Sequence, residues 1–304
     1  MNRRPFNSPW VVAWVSRFAL PVWFAAESIL GIVQALQDTS LIFFDARLYL
    51  AATRAWLAGS SPWDVQLAGN YYAAPPPSLL AMLPVVPLPP GWDVAAVTLI
   101  VAGAAVATVR LLRLPWWWLL FPPLVQCVLS ANIHAVLIPL ILAGGGAFAA
   151  IAKIYAAVPL AILGRWRSLI GLVLMLAATA PVLPWAEYLD QAGAITQRLG
   201  DQTKLAVPIG VLLVLSPAIL AALAVVGRER AAWLAVCALW PSQQFYYGTL
   251  AMPVKSNIVG ALMALPVPGN GVLALLALAL VTRRSQGGPW RPLGTRTFGR
   301  TAAP

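Results

Sequence analysis

Apolar runs separated by short polar or charged breaks recur along almost the whole chain. They cover roughly 10–36, 76–91, 93–110, 115–130, 133–150, 152–164, 168–184, 206–227, 231–248 and 250–281. A helix needs ~20 apolar residues to cross the hydrocarbon core of a bilayer. The pattern therefore predicts an all-α, polytopic transmembrane bundle of about ten spans. PVPGNG at 266–271 interrupts the last run and leaves room for two short passes. Alternating segments of the kind that build a transmembrane β-barrel are absent from the sequence. Two polar stretches are longer than connectors, 37–75 and AEYLDQAGAITQRLGDQTK at 186–204. The organisation read from this is one integral membrane domain over 1–282, with 37–75 and 186–204 as external loops. A basic tail over 283–304 follows.

The first polar stretch contains FFDARLYLAATRAWLAGSSPWD, residues 43–64. At about 100° per residue, Asp45, Tyr49, Ala52 and Trp56 share one helix face, and Arg47 and Arg54 lie opposite. Gly59 and the following SSP end that helix. Aromatic residues on one side and arginines on the other suit a helix lying in the membrane interface. Trp63, Asp64, Tyr71 and Tyr72 come next, and Pro75–Pro77 open the following run.

Composition narrows the class. The chain is 61% hydrophobic and 10% charged, against ~25% charged for an ordinary soluble domain. Its net charge of +11 is carried by residues between the apolar runs and at the two ends. That placement points to membrane topology and anionic lipid, not to nucleic acid. The N-terminus begins like a signal peptide, with Arg3 and Arg4. Its apolar stretch runs to residue 36, past the ~7–15 residues of a cleavable core, so it reads as an uncleaved first span. With the N-terminus inside, alternation puts 37–75 outside, Asp93 inside, Arg110 and Arg113 outside, and Arg165, Arg167 and Arg228–Arg230 inside. Arg110 and Arg113 break the positive-inside rule in this scheme. Cys127 and Cys237 lie within apolar runs and His134 is the single histidine, so neither a disulfide framework nor a zinc site is expected.

A single carboxylate on the outer face is enough for one kind of chemistry. When a sugar leaves a lipid-linked phosphate, the leaving group is already good. One base takes the proton from the attacking hydroxyl, and cations hold the charge that grows on the phosphate. Asp45 is the candidate base. Lys153, Lys255, Arg110 and Arg113 are the candidate phosphate ligands. Tyr49, Trp56, Asp64, Tyr71, Tyr72, Asn132, His134, Gln243 and Gln244 are candidates for sugar and acceptor contacts. The plainer readings are an Asp45 that caps its helix, a Lys153 that snorkels from a helix end, and a His134 held in a capped turn. Only Asp45 and Asp64 stand ready for a divalent cation, so no metal and no cofactor is expected.

The blocks DARLYLAATRAWLAGSSPWD and YYAAPPPSLLAMLP resemble glycosyltransferase family 87, a GT-C family that uses polyprenyl-phosphate sugars. The family pattern is Asp, Tyr four residues on, Gly-x-x-Pro-Tyr-Asp, then Tyr-Pro-Pro. Asp45, Tyr49, Gly59, Pro62, Asp64, Pro75 and Pro76 occupy those places. SANIHAVLIPLIL looks like the family's Gly-Gln-x-Asn block, AIAKIYAAVPLAILGRWR like its Lys-x-x-Pro segment, and CALWPSQQFYY like its late Ser-Pro-x-x-Trp-x-His block. The resemblance covers residues 40–250. It implies a GT-C fold, a catalytic Asp45 in the first extracytoplasmic loop, Lys153 on the donor phosphate, and an inverting transfer of mannose or arabinose type. The donor would be a polyprenyl-phosphate-linked sugar, the acceptor a lipid or glycan, and the site the plasma (inner) membrane. The sequence departs from the pattern at Ala131–His134 and at the late histidine, where Gln243–Tyr247 stand.

Two other classes are read from the same residues. A non-catalytic relative acting as a membrane scaffold or assembly subunit accommodates these departures. A lipid or solute transporter is the third, although Arg17 and Glu27 sit too far apart for one helix-surface pair and no inverted repeat is visible.

Overall fold

The computed structural model describes residues 14–203 and 207–285. Arg3, Arg4 and the tail from residue 286 onward lie outside the described residues.

The described chain is almost wholly helical, with one two-stranded hairpin, β1 (Gln66–Leu67) against β2 (Asn70–Tyr71). Three helices are long and apolar enough to cross a membrane. The first, α1 (Leu20–Gln37), is led in by a π-helical turn from Val15; the others are α3 (Trp92–Leu111) and α11 (Ile209–Val226). A fourth crossing arises if Pro122–Ser130 and Ile133–Leu142, set at 120° to each other, act as one broken span. The remaining apolar runs do not each become one long helix, and proline and glycine explain why.

The stretch 75–90, which contains most of the 76–91 run, carries seven prolines. Each removes a backbone donor, and the segment folds as a six-residue 3-10 helix, Pro76–Ala81, followed by turns. The run at 115–130 divides into a 3-10 turn (Trp116–Leu120) and α4 (Pro122–Ser130), with Pro115 and Pro122 opening the two pieces. The run at 133–150 is split at Gly144–Gly146 into α5 (Leu137–Leu142) and α6 (Gly146–Ala152). Two short apolar helices follow, α7 (Ala157–Leu163) and α8 (Trp166–Thr179). The stretch at 186–204 is not a plain loop but two helices, α9 (Trp185–Asp190) and α10 (Ala192–Gln202). After α12 (Arg228–Leu239) the chain runs through a 3-10 segment, Phe245–Val254, to α13 (Asn257–Met263) and α14 (Asn270–Ser285).

The amphipathic helix read from the sequence is present as α2 (Phe44–Leu57), which buries Tyr49 and Ala52 and leaves Arg54 exposed. At its far end Arg54 pairs with Asp93 at 2.5 Å. Asp93 is buried and also accepts the amides of Gly91 (2.8 Å) and Val94 (2.7 Å), which fixes the first turn of α3. This contact ties the end of α2 to the start of α3. Because 76–91 does not cross, α2 and the start of α3 lie at one end of the bundle, not at opposite faces. Arg110 lies 17 residues further along α3, about 26 Å away at 1.5 Å per residue. Arg110 and Arg113 therefore sit at the other end of α3 from the Arg54–Asp93 pair.

The second polar stretch returns to the first. Arg198 donates to the Trp63 carbonyl at 3.0 Å and lies over the Tyr71 ring, while Trp63 packs on Tyr188. The two stretches expected to be external thus form one surface.

Candidate functional site

Asp45 opens the site. It occupies the first turn of α2, but the residue capping that turn is Phe43, and no side chain makes a capping hydrogen bond. The helix-cap explanation for Asp45 therefore has no support. Phe43 is in the left-handed region (φ 55°), and its amide donates to the Leu129 carbonyl at 2.7 Å. That bond pins the start of α2 to the last turn of α4.

At that place α4 ends. Ala131 takes a left-handed conformation (φ 52°, ψ 46°), and the chain turns sharply into a 3-10 turn over Ile133–Val136. The turn gathers Ser130, Asn132 and His134 beside Asp45. The Ser130 hydroxyl and Asn132 amide both act to lower the Asp45 pKa. Asn132 Oδ1 accepts the His134 amide at 2.8 Å. Ser130 Oγ, Asn132 Nδ2 and His134 Nε2 are buried atoms without a well-formed hydrogen bond to any protein group. Such atoms are uncommon in native folds and call for an explanation.

Lys153 approaches from the break between α6 and α7, where its backbone is extended (φ −147°, ψ 107°). Its side chain is only 8% exposed. It hydrogen-bonds the Tyr49 hydroxyl, one helical turn from Asp45, and its ammonium lies 4.5 Å from the Tyr49 ring centroid. The Lys153 charge lowers the pKa of Asp45, yet the two do not close an ion pair; the one among the described residues is Arg54–Asp93. Burial pushes the Asp45 carboxyl above its usual range, partly offset by Ser130, Lys153 and Asn132. Burial likewise holds Lys153 below its usual value, partly offset by Tyr247 and Asp45.

Aromatic rings support both charges. Tyr72 meets Tyr49 edge-on at 5.1 Å, and its hydroxyl is tied to Ser78, which donates to the Pro75 carbonyl at 2.6 Å. The tyrosine–proline block therefore stands directly behind Tyr49. His134 is 5.2–5.5 Å from the rings of Tyr155, Tyr246 and Tyr247, and its Nδ1 bonds the Tyr155 hydroxyl at 2.5 Å.

Of the residues singled out from the sequence, the structure brings together Asp45, Tyr49, Tyr72, Asn132, His134 and Lys153. Others lie elsewhere. Lys255 borders a cavity with Arg17, Arg110 lies over Trp116 at 5.3 Å, and Arg113 sits in a left-handed turn beyond α3. These three were expected on the outer face beside the donor phosphate; they contribute nothing to the Asp45 group, because α3 and the 3-10 segment before Lys255 carry them away. Asp64 is exposed, Tyr71 lies under Arg198, and Trp56 is half-buried against the core. Gln243 is buried and donates to the Cys237 carbonyl, and Gln244 leads into the Phe245–Val254 segment. Ser130, Tyr155, Tyr246 and Tyr247 belong to the group but were not singled out as site residues. The signal was their position inside the quoted blocks. Among the described residues no group of three or more His, Cys, Asp or Glu side chains is placed to hold a metal.

No protein-family model matches the chain, and no curated protein and no solved structure matches it either.

Proposed function

We propose that this protein is a multi-pass membrane glycosyltransferase, in which the short helices add partial passes toward the ten read from the sequence. It moves a sugar of mannose or arabinose type from a polyprenyl-phosphate donor to a lipid or glycan hydroxyl at the extracytoplasmic face of the plasma membrane. The observation that carries this reading is a buried carboxylate and a buried ammonium held near each other without closing an ion pair, with Ser130 and Asn132 against the carboxylate and the Tyr49 hydroxyl against the ammonium. Two unpaired charges in a low-dielectric site are costly unless something else engages them.

The acceptor hydroxyl attacks the anomeric carbon as its bond to the phosphate oxygen breaks. Asp45 takes the hydroxyl proton. The electron pair of the broken bond stays on the polyprenyl phosphate, whose charge Lys153 meets. Attack opposite the leaving group inverts the anomeric centre. Ser130, Asn132 and His134 are placed to engage sugar or acceptor hydroxyls. Lys255, Arg110 and Arg113 have no part in this step.

The test is transfer from radiolabelled polyprenyl-phosphate-mannose and -arabinose in nanodiscs, with lipid and glycan extract as acceptor. Wild type should transfer and Asp45→Asn should not, with donor binding kept. Equal transfer by both would remove Asp45 from the mechanism. Neither transfer nor donor binding by wild type would favour the scaffold reading.

A further inference from the structure

The cavity beside Lys255 lies where the beginning of α1 meets the end of α3, at the other end of the bundle from the Arg54–Asp93 pair. Its volume is about 380 Å³, and Arg17, Leu114, Pro115, Trp117, Trp118 and Lys255 are among its lining residues. Among the described residues its lining carries two cations and no carboxylate. One wall is rigid. Trp118 is buried, stacks on Trp117 at 5.4 Å, and packs so closely on Gly260 that an added Cβ would lie 2.8 Å from its ring. The mouth is flanked in sequence by exposed apolar side chains, Trp14, Phe18, Trp116 and Ile258.

The backbone gives an independent indication. Lys255 is left-handed (φ 53°), and so is Arg113 (φ 54°), the residue before Leu114. A side chain in that conformation costs free energy that glycine would not incur. Non-glycine residues in this conformation occur at chain turns and cluster at ligand-binding sites. A basic residue held there, facing a second basic residue across an aromatic-walled cavity, is arranged for an anion. Exposed apolar neighbours at a helix-end aromatic belt add an acyl environment to that charge.

We propose that this cavity binds the phosphate of an anionic lipid headgroup, with Arg17 and Lys255 as countercharges and the Trp117–Trp118 wall beside the glycerol region. The site is separate from Asp45 and does not rest on the transferase reading.

The experiment is native mass spectrometry of the full chain released from mixed micelles of phosphatidylglycerol and phosphatidylcholine. Wild type should retain phosphatidylglycerol. The double variant Arg17→Gln/Lys255→Gln should lose retention by about thirtyfold, from the attraction each basic residue contributes at a lipid surface. Arg230→Gln, an exposed charge elsewhere, should behave as wild type. Lys255→Gly relaxes the backbone, so its melting temperature should not fall while lipid retention does; a purely structural lysine would give the reverse. Equal retention by wild type and the double variant overturns the proposal. A parallel arm offers inorganic phosphate. If wild type binds it with the same dependence on Arg17 and Lys255 and shows no preference for the anionic lipid, the lipid assignment fails and a soluble anion takes its place.

Discussion

Asp45 carries opposing demands. Burial raises its pKa, so the folded protein favours the protonated acid, whereas a general base must be ionised. The sign follows directly. The raised folded pKa gives a stabilisation that is present below the unfolded value of 3.8 and is lost as pH rises through the folded pKa. At neutral pH the ionised Asp45 therefore costs stability. Asp45→Asn should lower transfer by about 10²–10⁴-fold while raising the melting temperature at pH 7. A thermal-shift assay beside the transfer assay checks both, and a lower melting temperature would contradict the burial argument. Transfer by wild type should rise with pH through a midpoint above 3.8 and fall again as Lys153, held below its usual value, loses its proton. Lys153→Gln should abolish the alkaline limb and cut transfer by about 10²–10³-fold.

Between helices, one close contact is made by backbone alone. A Cβ on Gly271 would lie 1.8 Å from the Cys237 carbonyl oxygen, so α12 and the start of α14 touch main chain to main chain. Gly271→Ala cannot be accommodated by a side-chain rotation. It should cost about 3 kcal/mol or more, read as loss of monodisperse protein on size-exclusion chromatography. The Arg54–Asp93 pair is asymmetric: the Arg54 side chain is 42% exposed and that of Asp93 2%. Arg54→Ala removes an exposed partner and should cost about 1 kcal/mol. Asp93→Ala also frees two amides of the α3 turn and should cost about 2–4 kcal/mol. Comparable melting temperatures for the two variants would show that the turn does not depend on Asp93.

At this scale the limits of the sequence are also plain. Helix α2 was legible because its polar and apolar faces differ, and periodicity reports such a difference. Asp45, Tyr49, Asn132, His134 and Lys153 were legible as candidates because polar and charged side chains stand out at the edges of apolar runs. The sharpness of the turn at Ala131 and the split at Gly144–Gly146 inside the 133–150 run were not, since hydropathy averages over a window and does not register a change in direction. Lys255 and the two arginines past α3 were misplaced for that reason. The 76–91 run folds as a 3-10 helix and turns, which sets Asp93 at the same end as Arg54.

Across the described residues, Arg17, Arg110 and Arg113 gather at the end opposite Asp93. Cysteines introduced at Ser60, Trp92 and Arg113 test the arrangement. The native Cys127 and Cys237 are buried and should stay silent. A membrane-impermeant maleimide should label Ser60→Cys and Trp92→Cys from the same side of sealed vesicles, and Arg113→Cys only from the other. Labelling of Trp92→Cys together with Arg113→Cys would restore a crossing at 76–91.

The turn at Ala131 has a physical consequence for the surrounding bilayer. A helix that stops partway through hydrocarbon leaves carbonyl and amide groups that oil cannot solvate. Where α4 breaks off, those groups tolerate only protein or water around them. Here protein supplies the partners: the Leu129 carbonyl accepts the Phe43 amide at 2.7 Å and the Cys127 carbonyl accepts the Asn132 amide at 2.8 Å, so the helix can break at this point without presenting bare backbone to lipid.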